Sequence, residues 1–218
     1  MRTSAPARRQ LAVRVGGAAW VLIALYFLAE VVTARAWPRP YRVRTSSVSN
    51  LGVTGCDGSA ATRLSSPLHA VINSAFVLTG VLILVGAVCL RDFLPPGLLR
   101  RTALALFSIA AISAALTGFV PIDVDAHLHQ VVATPTFVAR NAAMIVVAVG
   151  LYKRWRAFTL WTGFCGLAGI VGMAAILLRE GPFGITERLA LYPFTLWVVT
   201  AGFSALRARA WLTSPETP

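Results

Sequence analysis

Four side chains able to move a proton or bind a metal are crowded into one short stretch. Between Phe119 and Gln130 lie Asp123, Asp125, His127 and His129, which include two of the chain's three histidines. A carboxylic acid kept from water can give or take a proton, and a neighbouring imidazole can relay it. Asp123 and His127 are four residues apart, as are Asp125 and His129. With His69 approaching from another helix, His69, His127 and His129 plus an aspartate would supply enough nitrogen and oxygen ligands for zinc. Both pairs can face one ion only if the stretch is helical, and Pro121 leaves that open. Asp125 reads equally well as the N-cap of the helix that follows, with both histidines at headgroup level.

Two further charges stand inside apolar segments. Arg140, next to Asn141, falls near the middle of one, where an arginine costs about 2.5–3.5 kcal/mol on insertion. It must face protein or water and needs an acid, for which Asp123, Asp125 and Glu30 are available. The pair would either fix helix packing or organise an anionic headgroup or a catalytic carboxylate. His69 and Asn73 share one helix face at i, i+4 spacing. With Trp161, Tyr192 and Trp197 they are the candidates for substrate contact, although Tyr26, Trp161, Phe164, Tyr192 and Trp197 also suit lipid-facing or core positions. Glu187 with Arg188 reads as an interfacial, solvated pair.

The elements that must position these groups are membrane helices. The chain is 57% hydrophobic and 13% charged, with mean hydropathy +0.72, whereas soluble domains run near 45–50% apolar and about 25% charged. Six spans are expected, over about 15–33, 67–90, 102–120, 130–152, 157–178 and 185–206. The fold class is therefore an all-α integral membrane bundle, with a basic tail over 1–14, one transmembrane domain over 15–206 and a second tail over 207–218. Gly163, Gly166, Gly169 and Gly172 recur every three residues in the fifth span and read as a close-packing stripe rather than a nucleotide loop. The formal charge of +12 comes from arginines at span ends, which argues against a nucleic-acid partner. Cys56, Cys89 and Cys165 have no ligand-like spacing.

The first span could be a cleaved signal peptide ending near Ala34-Arg35-Ala36, but its length and Glu30 favour a retained helix. The polar, turn-rich segment 35–66 reads as an external loop and a lid, with Ser65 and Ser66 as capping residues and Pro67 opening the second span. Lysines and arginines concentrate in the two tails and in the second and fourth connections, so both termini are expected to be cytoplasmic, in an inner or plasma membrane. That orientation gathers Glu30, His69, Asn73, the link from Asp123 to His129, Glu180, Glu187 and Arg188 at the outer face, around one outward-opening polar cavity.

The segments Ser46 to Gly52 (SSVSNLG), Ser66 to Asn73 (SPLHAVIN) and Gly118 to Asp123 (GFVPID), followed by His129, together resemble a bacterial and archaeal family of multipass membrane proteins of unknown function. This likeness covers about residues 15–205 and implies the fold without a reaction. Ser65 and His69 also resemble one motif of the membrane hydrolase superfamily of alkaline ceramidases and adiponectin receptors. That likeness implies a zinc site of serine, aspartate and three histidines, but the paired histidines of its last helix have no counterpart in the sixth span. Integral-membrane terpene cyclases are similar in architecture alone.

The function expected is an enzyme acting on a lipid or isoprenoid-tailed substrate by isomerisation or cyclisation. Asp123 is its acid, Glu30 or Asp125 the partner, His129 a proton relay and Arg140 the organiser, with no cofactor required. The alternatives are a zinc-dependent membrane amidase or lipid hydrolase, and a non-catalytic lipid-binding or transport-associated protein.

Overall fold

The computed structural model describes residues 5–55 and 66–213, and the side chains of 7–55 and 66–208. Cys56, Ser65 and Asp57 lie outside the described residues. The described residues form seven α-helices: α1 (Ala5–Leu22), α2 (Leu25–Arg35), α3 (His69–Cys89), α4 (Leu98–Phe119), α5 (Ala126–Leu151), α6 (Arg156–Leu178) and α7 (Phe183–Thr213). There is no strand among the described residues. Helices α1 and α2 make one span broken at Ile23 and Ala24, where the backbone tightens to i→i−3 hydrogen bonds at Ala24, Tyr26 and Phe27. Counted this way, six helices are long and apolar enough to cross a membrane.

The bundle closes through neighbours α1 and α2 on α3, α3 on α4, α4 on α5, α5 on α6, α6 on α7, and α7 back on α1. Leu28, Leu78, Ile112, Val149, Phe164 and Leu177 are exposed on its outside, as a lipid-facing surface requires and a water-facing one would not tolerate in such density. Small residues let the helices meet. A Cβ on Gly80 would strike the α4 backbone at Ala111 and Ala115, and one on Gly172 would strike α7 at Leu189 and Ala190. The glycine stripe of α6 therefore packs as expected at Gly166, Gly169 and Gly172, while Gly163 meets only Ala148, at 4.0 Å.

Helices α5 and α7 contain Pro135 and Pro193, each of which removes a backbone bond. Ser113 of α4 donates to the Val132 carbonyl beside the first. Asn141 reaches the Ala190 carbonyl near the second at 3.5 Å. The carbonyls that lose an amide donor are Val131 and Leu189, and the neighbouring side chains meet the carbonyl one residue beyond each.

Several element boundaries differ from the sequence expectation, and α4 and α5 each begin about four residues early. Helix α3 begins at His69, and Ser66 is not its cap: Ser66 is buried, its amide donates to the Val53 carbonyl at 3.1 Å, and Leu68 holds the N-cap position. The docking of the preceding loop thus determines where α3 starts. Helix α1 begins ten residues earlier than the expected span, and α7 runs through Thr213 into the region expected as a polar tail. Pairing of α1 with α7 explains both, since Gly17 and Gly202 lie against each other there.

Replacing Gly80 by Leu is expected to destabilise the bundle by about 1–3 kcal/mol, the usual cost of overpacking. Denaturant unfolding in detergent measures it, with Gly163→Leu as the tolerated comparison.

Candidate functional site

The loop before α3 does not lie over the membrane surface; it turns into the end of the bundle. Ser47 caps a 3-10 turn over Val48–Gly52 by accepting from the Asn50 amide at 3.1 Å. Val48 and Leu51 are fully buried there with Tyr26 and Ile72. Successive residues of this plug are tied to different helices. The Val48 amide donates to the Glu187 carboxylate of α7 at 2.6 Å. Ser49 meets His129 of α5 at 3.0 Å, and Asn73 of α3 donates to the Gly52 carbonyl at 2.9 Å. Asp123, before α5, accepts from the Thr54 amide and hydroxyl and from the Gly55 amide at 2.9, 3.1 and 2.6 Å.

Arg188 clamps the start of this loop. Its guanidinium donates to Glu30 at 2.9 Å, to the Tyr192 hydroxyl at 3.1 Å, to the Val43, Ser46 and Gly184 carbonyls, and to the Tyr41 hydroxyl at 3.0 Å. Tyr41 in turn donates to the Ser47 carbonyl at 2.6 Å. Burial pushes the Tyr41 phenol up to about 12, so it stays neutral and keeps that proton. Gly184 is required here, because a Cβ would meet the Val43 and Ser46 carbonyls.

Beneath the plug is a chamber of about 40 Å³, enough for water and too small for an organic substrate. Arg140 and Glu187 line it with Tyr26, Ser49 and the hydroxyls of Thr79, Thr117, Thr136 and Thr195. Arg140 is buried, bonds Thr136 through its backbone carbonyl at 3.0 Å and its hydroxyl at 2.7 Å, and lies over the Phe194 ring at 5.1 Å. It makes no ion pair with any carboxylate among the described residues. The Tyr26 hydroxyl is buried with no hydrogen-bond partner among them, and so is one oxygen of Glu30.

His129 joins the chamber to the link. Its Nδ1 lies 2.6 Å from the Val120 carbonyl, which can only accept, so Nδ1 carries the proton. With the ring neutral, Nε2 accepts from the Ser49 hydroxyl, and Ser49 lines the chamber.

The expected single polar cluster is thus divided. Glu30, Tyr192 and Arg188 meet in the clamp, and Arg140 is in the chamber without the acid it was expected to have. Neither Asp123 nor Asp125 reaches it: Asp125 caps α5, accepting from the Leu128 amide at 2.9 Å, and Asp123 holds the loop. Partial burial pushes the Asp123 carboxyl up, but the bonds from Thr54 and Gly55 outweigh this and leave it below its ordinary value.

Glu187 and Arg188, expected to be solvated, are 4% and 6% exposed. The i, i+4 spacing of Arg188 and Tyr192 beside Gly184 is the signal that could have revealed them. His127 is exposed and His69 half-buried. No group of three or more His, Cys, Asp or Glu side chains that could hold a metal comes together among the described residues, so the set of His69, His127 and His129 is not assembled. Trp197 is a core residue bonded to Thr162 at 2.8 Å, and Trp161 bonds Thr200 at 2.9 Å. Neither lines the chamber.

Fold and site together define a multipass α-helical membrane protein with a plugged polar chamber at one end. The chain belongs to the DUF998 family, proteins of unknown function, whose model matches residues 10–204. No curated protein and no solved structure matches it. The similarity to alkaline ceramidases rests on Ser65 and His69 alone. The three segments that carried the family resemblance are the plug and its seat: within Ser46–Gly52, Ser49 meets His129 and Gly52 meets Asn73, while Asp123 holds Thr54 just beyond the segment.

Asp123→Ala is expected to free the loop at Thr54 and Gly55, raising amide exchange there while the rest of the bundle stays protected. Because the folded pKa is lowered, the contact stabilises the fold above the ordinary aspartate range and is lost as pH falls through the lowered value. Loop exchange corrected for intrinsic rate therefore rises on acidification in the wild type and not in the variant.

Proposed function

We propose that this protein is an enzyme of the cell membrane that acts on a lipid or isoprenoid-tailed molecule by carboxylic acid–base chemistry. The observation that carries this reading is that a buried guanidinium without a carboxylate partner, a carboxyl group and an unpartnered phenol face the same small space. Structural ion pairs do not leave such a set open, because an unpaired buried polar group costs free energy. Glu187 is the group placed to give and take the proton. Arg140 holds negative charge on the substrate head, Tyr26 donates a hydrogen bond to it, and Ser49 with His129 offers a proton path toward the link.

The aromatic faces of Phe76 and Phe137 suit a developing cation, which favours protonation of an alkene or of a leaving group. The reading uses the chain's own side chains and no cofactor. At its present volume the chamber admits water, so the substrate head enters when the plug lifts, as a lid does, while the tail stays among the helices.

The test is to incubate the purified protein with polyprenyl and phospholipid fractions and follow products by mass spectrometry. Glu187→Gln is expected to lower turnover by about 100-fold or more, with Asp123→Asn keeping most of it. Full turnover in Glu187→Gln would overturn the reading, as would turnover that depends on Asp123 alone.

A further inference from the structure

The other end of the bundle contains a larger cavity that the acid–base reading leaves unused. It measures about 530 Å³, within the range of about 300–1,000 Å³ typical of ligand sites. Its walls are the aromatic rings of Trp20, Trp155, Phe158 and Trp197, and the small residues Ala201 and Ala205 on α7 keep it open. Two polar side chains belong to the lining, Arg156 and Ser204, and both are exposed. The cavity is thus an apolar shaft with a cation at its rim.

The surrounding charge among the described residues is mostly positive. Arg154 lies over the Trp155 ring at 5.0 Å, and Arg91 and Arg207 are each next in sequence to a lining residue. The described acidic residue at this end is Asp92, which is already paired with Arg100 at 3.7 Å. Glu30, Asp123, Asp125, Glu180 and Glu187 all belong to the plugged end. An apolar chain would enter the shaft at the cost of no buried polar group, and an anionic head would remain at the rim among arginines, which bind phosphate in a forked geometry. Basic pockets between transmembrane helices bind anionic lipid heads in this way.

We infer that this cavity binds an anionic phospholipid, with one acyl chain in the aromatic shaft and the phosphate on Arg156. The site lies at the opposite end from the chamber and does not depend on the acid–base reading. It gives the protein a seat for an anionic lipid of the leaflet that carries its two termini.

The experiment is native mass spectrometry of the full chain in detergent, titrated with phosphatidylglycerol or phosphatidylcholine of identical chains. One phosphatidylglycerol is expected to stay bound in preference to phosphatidylcholine. Arg156→Gln is expected to reduce that preference about fivefold, the equivalent of about 1 kcal/mol per basic residue near an anionic surface. Ala205→Phe, which fills the shaft, is expected to abolish retention of both lipids; if that variant does not fold, Ala201→Leu supplies the same test. Equal retention of the two lipids would overturn the inference, as would a preference untouched by both the rim and the shaft variants. Displacement of the phospholipid by equimolar free fatty acid would likewise overturn it.

Discussion

The guanidinium of Arg188 is the interaction on which the polar end of the molecule depends. It is buried where a charge is expensive, and its partners come from three parts of the chain: Glu30 on α2, the loop at Tyr41, Val43 and Ser46, and Gly184 and Tyr192 on its own helix. Only arginine offers five donors in one plane, so a lysine here would leave carbonyls unmet. Removing one member of a buried pair of this kind typically costs about 3–5 kcal/mol, because the other is left uncompensated. With Arg188 in place, the loop enters the bundle at a fixed height. That height sets the contacts of Val48 with Glu187, Ser49 with His129, Gly52 with Asn73 and Thr54 with Asp123.

The two ends are built on opposite principles. One is plugged, lined with hydroxyls and mixed in charge, holding most of the described acids beside Arg140 and Arg188; the other is basic and apolar, with a wide cavity. Between them Phe107, Phe194 and Trp197 form an aromatic plate, with Phe107 stacked on Trp197 at 5.9 Å. Arg140 lies on the chamber side of Phe194 and Trp197 lines the far cavity. The plate stands between the linings of the two spaces. The proposed chemistry and the inferred lipid seat would thus occupy opposite ends of one small bundle.

The spans were readable because each must be long and apolar on its own, a demand that every segment meets locally. The Asp125 cap was readable for the same reason, since Asp125 and Leu128 are three residues apart. Glu30 was read as an available partner for Arg140, but it pairs with Arg188, 158 positions away, a contact that follows from helix adjacency, which no local pattern encodes. Asp123 and the histidines drew attention through density of chemical types, yet the backbone of the link spends Asp123 on the loop and leaves His127 exposed. Glu187 escaped notice because an acid and an arginine at a helix start look like an interface until the plug covers them. The plug itself carried the clue: Val48 and Leu51 stand among Ser46, Ser47, Ser49 and Asn50, and Ser47 and Asn50 form a capped turn.

If Arg188 holds the plug over the chamber, a probe arriving from that face should be excluded until Arg188 is lost. Thr117 lines the chamber and is buried. In a chain whose three native cysteines are replaced by serine, Thr117→Cys should resist a membrane-impermeant maleimide with Arg188 present and react readily in the Arg188→Gln background. Equal labelling in the two backgrounds, whether fast or absent, would contradict the role given to Arg188.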